Sequence, residues 1–171
     1  MRSVVVYESH HGNTRLIAES IAEGLGGAPA VAVHEAGDRI HEVRLLVVGG
    51  PNQMLGPAAK GGHRAAGTEK RTRRGSPAAS QPGLREWLRD LPRCDGVYAA
   101  AFDTRLDKPR WLTGDVAQSI ARRLANHGYE VLGAQSFLVE GAEGPLREGQ
   151  RERARAFGER LALALPTPAG R

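Results

Sequence analysis

Short apolar runs rich in β-branched residues alternate along this chain with stretches whose apolar residues recur at helical spacing, and that alternation leaves few folds open. Ser3 to Tyr7 has no polar and apolar alternation, as a strand buried on both faces of a parallel sheet requires. From Asn13 to Leu25, the residues Leu16, Ile17, Ile21, Ala22 and Leu25 fall on helical spacing, and Gly26-Gly27 supplies a stop. Ala30 to His34 predicts a weak second strand, and Arg44 to Gly49, centred on Leu45-Leu46-Val47-Val48, a strong third one. Leu84 to Leu91 predicts a short helix, and Gly96 to Phe102 a fourth strand that ends in a loop at Asp103-Thr104-Arg105. Trp111 to Asn126 follows as a helix, Glu130 to Val139 as a fifth strand interrupted around Gly133, and Pro145 to Leu165 as the last helix. The pattern predicts an α/β fold, a doubly wound five-stranded parallel sheet with helices on both faces. At 171 residues with 40% apolar content, one domain over residues 1–166 is expected, with a frayed tail at 167–171.

Ligands of such sheets bind outside the carboxyl ends of the strands, where strand order reverses. The first loop there is Ser9-His10-His11-Gly12-Asn13-Thr14, which carries two hydroxyls and no Lys or Arg. Two readings of these residue types stand side by side. Backbone N–H groups and the Ser9 and Thr14 hydroxyls can converge on one anion at a helix start, or Ser9, Asn13 and Thr14 simply cap the helix. Other α/β signatures are missing: the chain has no GxxxxGK[ST] of a P-loop, no GxGxxG of a dinucleotide fold after the first strand, and no acidic cluster of a receiver domain there, since Glu8 stands alone.

At this loop the sequence resembles the flavodoxin family, whose phosphate loop reads Ser/Thr-x-Thr-Gly-Asn-Thr between the same two elements. Ser9, Gly12, Asn13 and Thr14 match it, while His11 stands where the family has its middle Thr, so one hydroxyl donor is lost. A second local match is Leu46-Val47-Val48-Gly49-Gly50-Pro51, and the element order is similar over nearly the whole chain. The resemblance implies a flavodoxin-like sheet of order 2-1-3-4-5 and FMN as cofactor. It implies that Ser9, His10, His11, Gly12, Asn13 and Thr14 surround the phosphate. Pro51, Asn52, Gln53, Met54, Leu55 and Gly56, together with Phe102, Asp103, Thr104 and Arg105, would then lie beside the flavin ring.

The family's frequent Thr-His-x-Trp/Phe-Gly type of second loop is absent, which weakens ring stacking and leaves Met54 or Leu55 to pack there. Arg105 either approaches the pyrimidine end of the ring or pairs with Asp103 or Asp107. Trp111 reads as a packing residue. The implied function is redox chemistry through bound flavin, either as an electron carrier or as an enzyme reducing a quinone, nitro compound or other small acceptor. No catalytic residue is assigned.

The charge bears on that choice, because family carriers are typically acidic. Residues 57–82 carry Lys60, Arg64, Lys70, Arg71, Arg73 and Arg74 against Glu69, an excess equal to the +5 of the whole chain. This segment reads as a basic, flexible insertion after the third strand. Without interleaved aromatics it lacks the equipment for stacking nucleic-acid bases, so nucleic acid is an unfavoured partner. The altered second loop and His11 motivate an alternative function: a flavin-free binding module that keeps the fold and engages an acidic macromolecule through this basic segment. Cys94 is the sole thiol, which rules out an intramolecular disulfide and, with no Cys/His cluster, a structural zinc site. His10 and His11 are adjacent but lack a third ligand. No apolar run approaches the roughly 20 residues that span a bilayer, and a cytoplasmic setting is expected. Monomer and homodimer both remain open.

Overall fold

β1 (Ser3–Tyr7) lies inside a parallel sheet because Val4, Val5 and Val6 bury both of its faces. The computed structural model describes residues 2–52, 83–109, 114–141 and 143–166. The other elements are α1 (Asn13–Gly24), β2 (Ala30–Ala32), β3 (Leu45–Pro51), α2 (Leu84–Asp90), β4 (Tyr98–Leu106), α3 (Val116–Asn126), β5 (Glu130–Val139) and α4 (Gln150–Ala164). The five strands are parallel in the order β2-β1-β3-β4-β5, as the sequence pattern and the resemblance predicted. Tyr7 pairs with Gly49, which pairs with Phe102, so β1 stops two residues before the end of β3 and four before the end of β4.

Alternate residues of each strand feed two separate cores. Val4, Val6, Leu46, Val48, Ala99 and Ala101 pack with Leu84 and Leu88 of α2 and Ile120 and Leu124 of α3. Val5, Leu45, Val47, Ala100 and Phe102 pack with Ile17 and Ile21 of α1 and Phe157 and Leu161 of α4. Each fully buried Val, Leu, Ile or Phe contributes about 1.5–3 kcal/mol relative to exposure, so strands buried on both faces anchor the fold.

Several sequence boundaries shift for identifiable reasons. β4 runs on to Leu106, so Asp103, Thr104 and Arg105 are strand residues and not a loop, held in register opposite Ser136, Phe137 and Leu138 of β5. The expected interruption in β5 is a bulge at the residue before Gly133: Ala99 pairs with Val131 and Ala100 with Gly133. The last helix begins at Gln150 because Pro145 to Arg147 instead folds back on the end of β5. Glu140 N–H donates to Pro145 O and Arg147 N–H to Leu138 O. β2 stops at Ala32 and passes into a short 3-10 turn, Val33–Glu35. The expected basic insertion over 57–82, the tail at 167–171 and Trp111 lie outside the described residues.

α1 and α4 cross at a contact that tolerates no side chain. A Cβ on Gly24 would come within 2.0 Å of Arg155 O, and one on Gly158 within 2.2 Å of Ile21 O. Both obstacles are backbone atoms, so the helices must separate to admit a methyl group. Gly158→Ala is therefore expected to lower unfolding free energy by about 1–3 kcal/mol despite alanine's better helix propensity. Urea denaturation measures this, and an unchanged or higher midpoint would contradict the close crossing.

Candidate functional site

The loop between β1 and α1 makes its turn at Gly12, whose φ of 88° is open to glycine at little cost. Gly12 N–H donates to Ser9 Oγ at 3.1 Å, and Gly12 O accepts the first helical bond from Leu16 N–H. No side chain caps α1. Among the described residues, no acceptor meets the N–H groups of Asn13, Thr14 and Arg15, which make up the first turn of the helix. These donors and the positive end of the helix dipole give the loop an attraction for anions without any basic side chain.

Distant elements fix the loop. Asn13 Nδ2 donates to Gly144 O at 2.5 Å, across 131 residues of sequence, so Asn13 pins the loop and does not cap the helix. Thr14 Oγ1 lies 2.8 Å from Thr104 Oγ1 of β4, and the two residues are only 2% and 5% exposed. On the other side Glu8 Oε2 accepts from Leu84 N–H at 2.6 Å, so its carboxylate caps α2, and Glu8 Oε1 stands 3.7 Å from His10 Nε2.

A cleft opens along this edge of the sheet. His10, His11, Asn13 and Thr14 form one wall, Pro51 and Asn52 close it at the end of β3, and Thr104 and Arg105 line it from β4. The structure thus assembles these sequence-predicted residues around one space. Ser9 and Gly12 shape the loop but do not line the cleft. Gln53, Met54, Leu55 and Gly56 lie outside the described residues. Leu106 and Val139, which also line the cleft, were missed. Their signal is a register that carries β4 and β5 past the expected strand end.

Arg105 donates from Nη1 to Lys108 O at 2.8 Å, which holds the guanidinium near the turn that follows its own strand, and Asp107 pairs with Arg147. Phe102 is fully buried in the α1 and α4 core, away from the cleft. Among the described residues, no group of three or more His, Cys, Asp or Glu is placed to hold a metal. No helix among them is long and apolar enough to cross a membrane.

Asp103 also points away from the cleft. It is completely buried beneath α3, where Oδ2 accepts from Ala117 N–H at 2.8 Å. Burial pushes its carboxyl above the ordinary value, opposed by the Ala117 N–H and the Ser136 hydroxyl. The folded protein therefore holds this proton to higher pH than the unfolded chain does. Folding loses that advantage as pH rises from the ordinary carboxylate value through the folded one. Asp103→Asn, neutral throughout, is expected to gain stability relative to the parent protein as pH rises above the ordinary carboxylate value of about 4. Urea titrations at increasing pH test this, and a stability difference that does not change with pH would refute the role of burial.

Neither a protein-family profile nor a curated protein matches this chain. Solved structures do match in fold. A flavodoxin from the domain Archaea superposes with a TM-score of 0.62 at 18% identity, covering 95% of this chain and 97% of that one. The Streptococcus pneumoniae TIGR4 flavodoxin gives 0.62 at 16% identity, covering 96% and 100%. Megasphaera elsdenii flavodoxin gives 0.58 at 20% identity, covering 95% and 99%. With the strand order and the helices on both faces, these similarities establish that the chain has the flavodoxin-like fold.

Proposed function

We propose that this protein binds FMN at the cleft and acts as a flavodoxin-type redox protein. The observation that carries the proposal is the first turn of α1, whose N–H groups lack acceptors and open at the switch point of a flavodoxin-like sheet. The residues present fit the phosphate end of the cofactor. Asn13, Thr14 and Arg15 offer backbone donors, and Ser9, whose oxygen already accepts from Gly12, keeps its O–H to donate. Each hydrogen bond to a charged group is worth about 1.5–3 kcal/mol, so several anchor a phosphate without a salt bridge.

Toward the ring end, Pro51, Leu106 and Val139 supply apolar surface and Asn52 a polar edge. Arg105 places a cation on the same wall, where it favours negative charge on a reduced ring. Bound FMN supplies one- or two-electron transfer to a redox partner or small acceptor. Related folds have been captured at both ends of that chemistry: the Megasphaera elsdenii flavodoxin as its two-electron-reduced form and Bacillus cereus Flavodoxin 1 as its oxidised form. The protein's setting, in this reading, is the cytoplasm.

A second reading draws on the formal charge excess at residues 57–82. Of the described residues on either side of that segment, Asn52 lies on the cleft wall and Gly83 next to the Glu8 carboxylate. A flavin-free module gripping an acidic macromolecule through it would bind a polyanion such as heparin, with affinity falling steeply as salt rises.

The visible absorption spectrum, recorded before and after FMN addition and gel filtration, separates the two. Retained flavin bands are expected. Asn13→Ala and Thr14→Ala should each weaken FMN binding roughly tenfold or more. A protein that takes up no FMN but binds heparin would favour the second reading, and full FMN affinity in both variants would remove the loop from the site.

A further inference from the structure

The pair formed by Thr14 and Thr104 contains one proton more than it can use. Two hydroxyls 2.8 Å apart place a single proton between their oxygens, and the second O–H must find an acceptor elsewhere. With the residues 2% and 5% exposed, water satisfies that need poorly, and among the described residues no other acceptor meets either hydroxyl. Both residues line the cleft beside the unpaired N–H groups of the first turn of α1. A spare donor amid spare donors calls for a ligand that only accepts, which is an anion.

We infer that Thr104 is a positioning residue of the anion site, acting through Thr14. An anion in the loop cannot donate, so the hydroxyl beside it has to. Thr14, on the loop itself, donates to the anion, and Thr104, on β4, donates to Thr14 Oγ1. The relay fixes which way the Thr14 proton points and polarises it, since a hydroxyl that accepts one hydrogen bond donates a stronger one. The ligand class is a phosphate monoester, and the inference rests on the proposed FMN site.

Thr104→Val keeps the shape of the side chain and removes its hydroxyl, whereas Thr104→Ser keeps the hydroxyl. FMN, riboflavin and inorganic phosphate serve as probes, with affinities read by flavin fluorescence quenching and, for phosphate, by the rise in thermal midpoint. Thr104→Val is expected to lose roughly ten- to hundredfold in FMN affinity and most of the phosphate-induced stabilisation. Its riboflavin affinity and its own unfolding midpoint should change little. Thr104→Ser is expected to bind FMN nearly as the parent protein does.

Equal losses for FMN and riboflavin in Thr104→Val, or no loss for either, would overturn the relay. A parent protein that binds phosphate but not FMN would end the flavin reading alone, and the relay would then stand or fall on phosphate stabilisation in Thr104→Val. A parent protein indifferent to both probes would end both.

Discussion

Everything at the candidate site depends on the parallel register that joins β1, β3 and β4. Because Tyr7, Gly49 and Phe102 stand side by side, β3 and β4 run past the end of β1, and their residues Pro51, Thr104 and Arg105 border a cleft with the loop that follows β1. That register is held from both faces. One set of alternate strand residues locks against α2 and α3, the other against α1 and α4. A slip of one residue would exchange the sets and bury each against the wrong helices.

The anion-attracting loop is rigid for reasons outside itself. Its own sequence supplies a glycine that can turn and a serine that closes the turn. The remaining restraints come from far along the chain: Gly144 holds Asn13 and Thr104 holds Thr14. Such ties reduce the ordering that a ligand would otherwise have to impose. On the opposite side, Glu8 satisfies the start of α2 with its carboxylate, so one short stretch serves two helix N-termini in different ways.

Much of the architecture is legible in the order of the residues. Doubly buried strands such as Leu45 to Val48 announce themselves as unbroken apolar runs, and the glycine pairs and helical spacing punctuate them. The interruption of β5 beside Gly133 is readable too. The end of β4 is not, because Asp103, Thr104 and Arg105 look like loop residues. Asp103 is a strand residue whose carboxylate is buried to cap α3, a use of an acid that composition hides. Likewise, Pro145 to Arg147 looks helical but pairs with the end of β5, where backbone hydrogen bonds outweigh local preference.

The sequence by itself determined the alternation of elements, the glycine-containing loop at the first switch point and the concentration of charge at residues 57–82, since each is written in consecutive residues. Only the tertiary structure decided which candidates face the cleft. It turned Thr104 and Arg105 toward it and Phe102 and Asp103 away, brought in Leu106 and Val139, and paired two hydroxyls 90 residues apart. The physical reason is that the pleat puts Phe102 and Thr104 on one face of β4 and Asp103 and Arg105 on the other, so what separates them is how far along the strand each stands and which helix covers it there. Neither is a property of the residues adjacent in the chain.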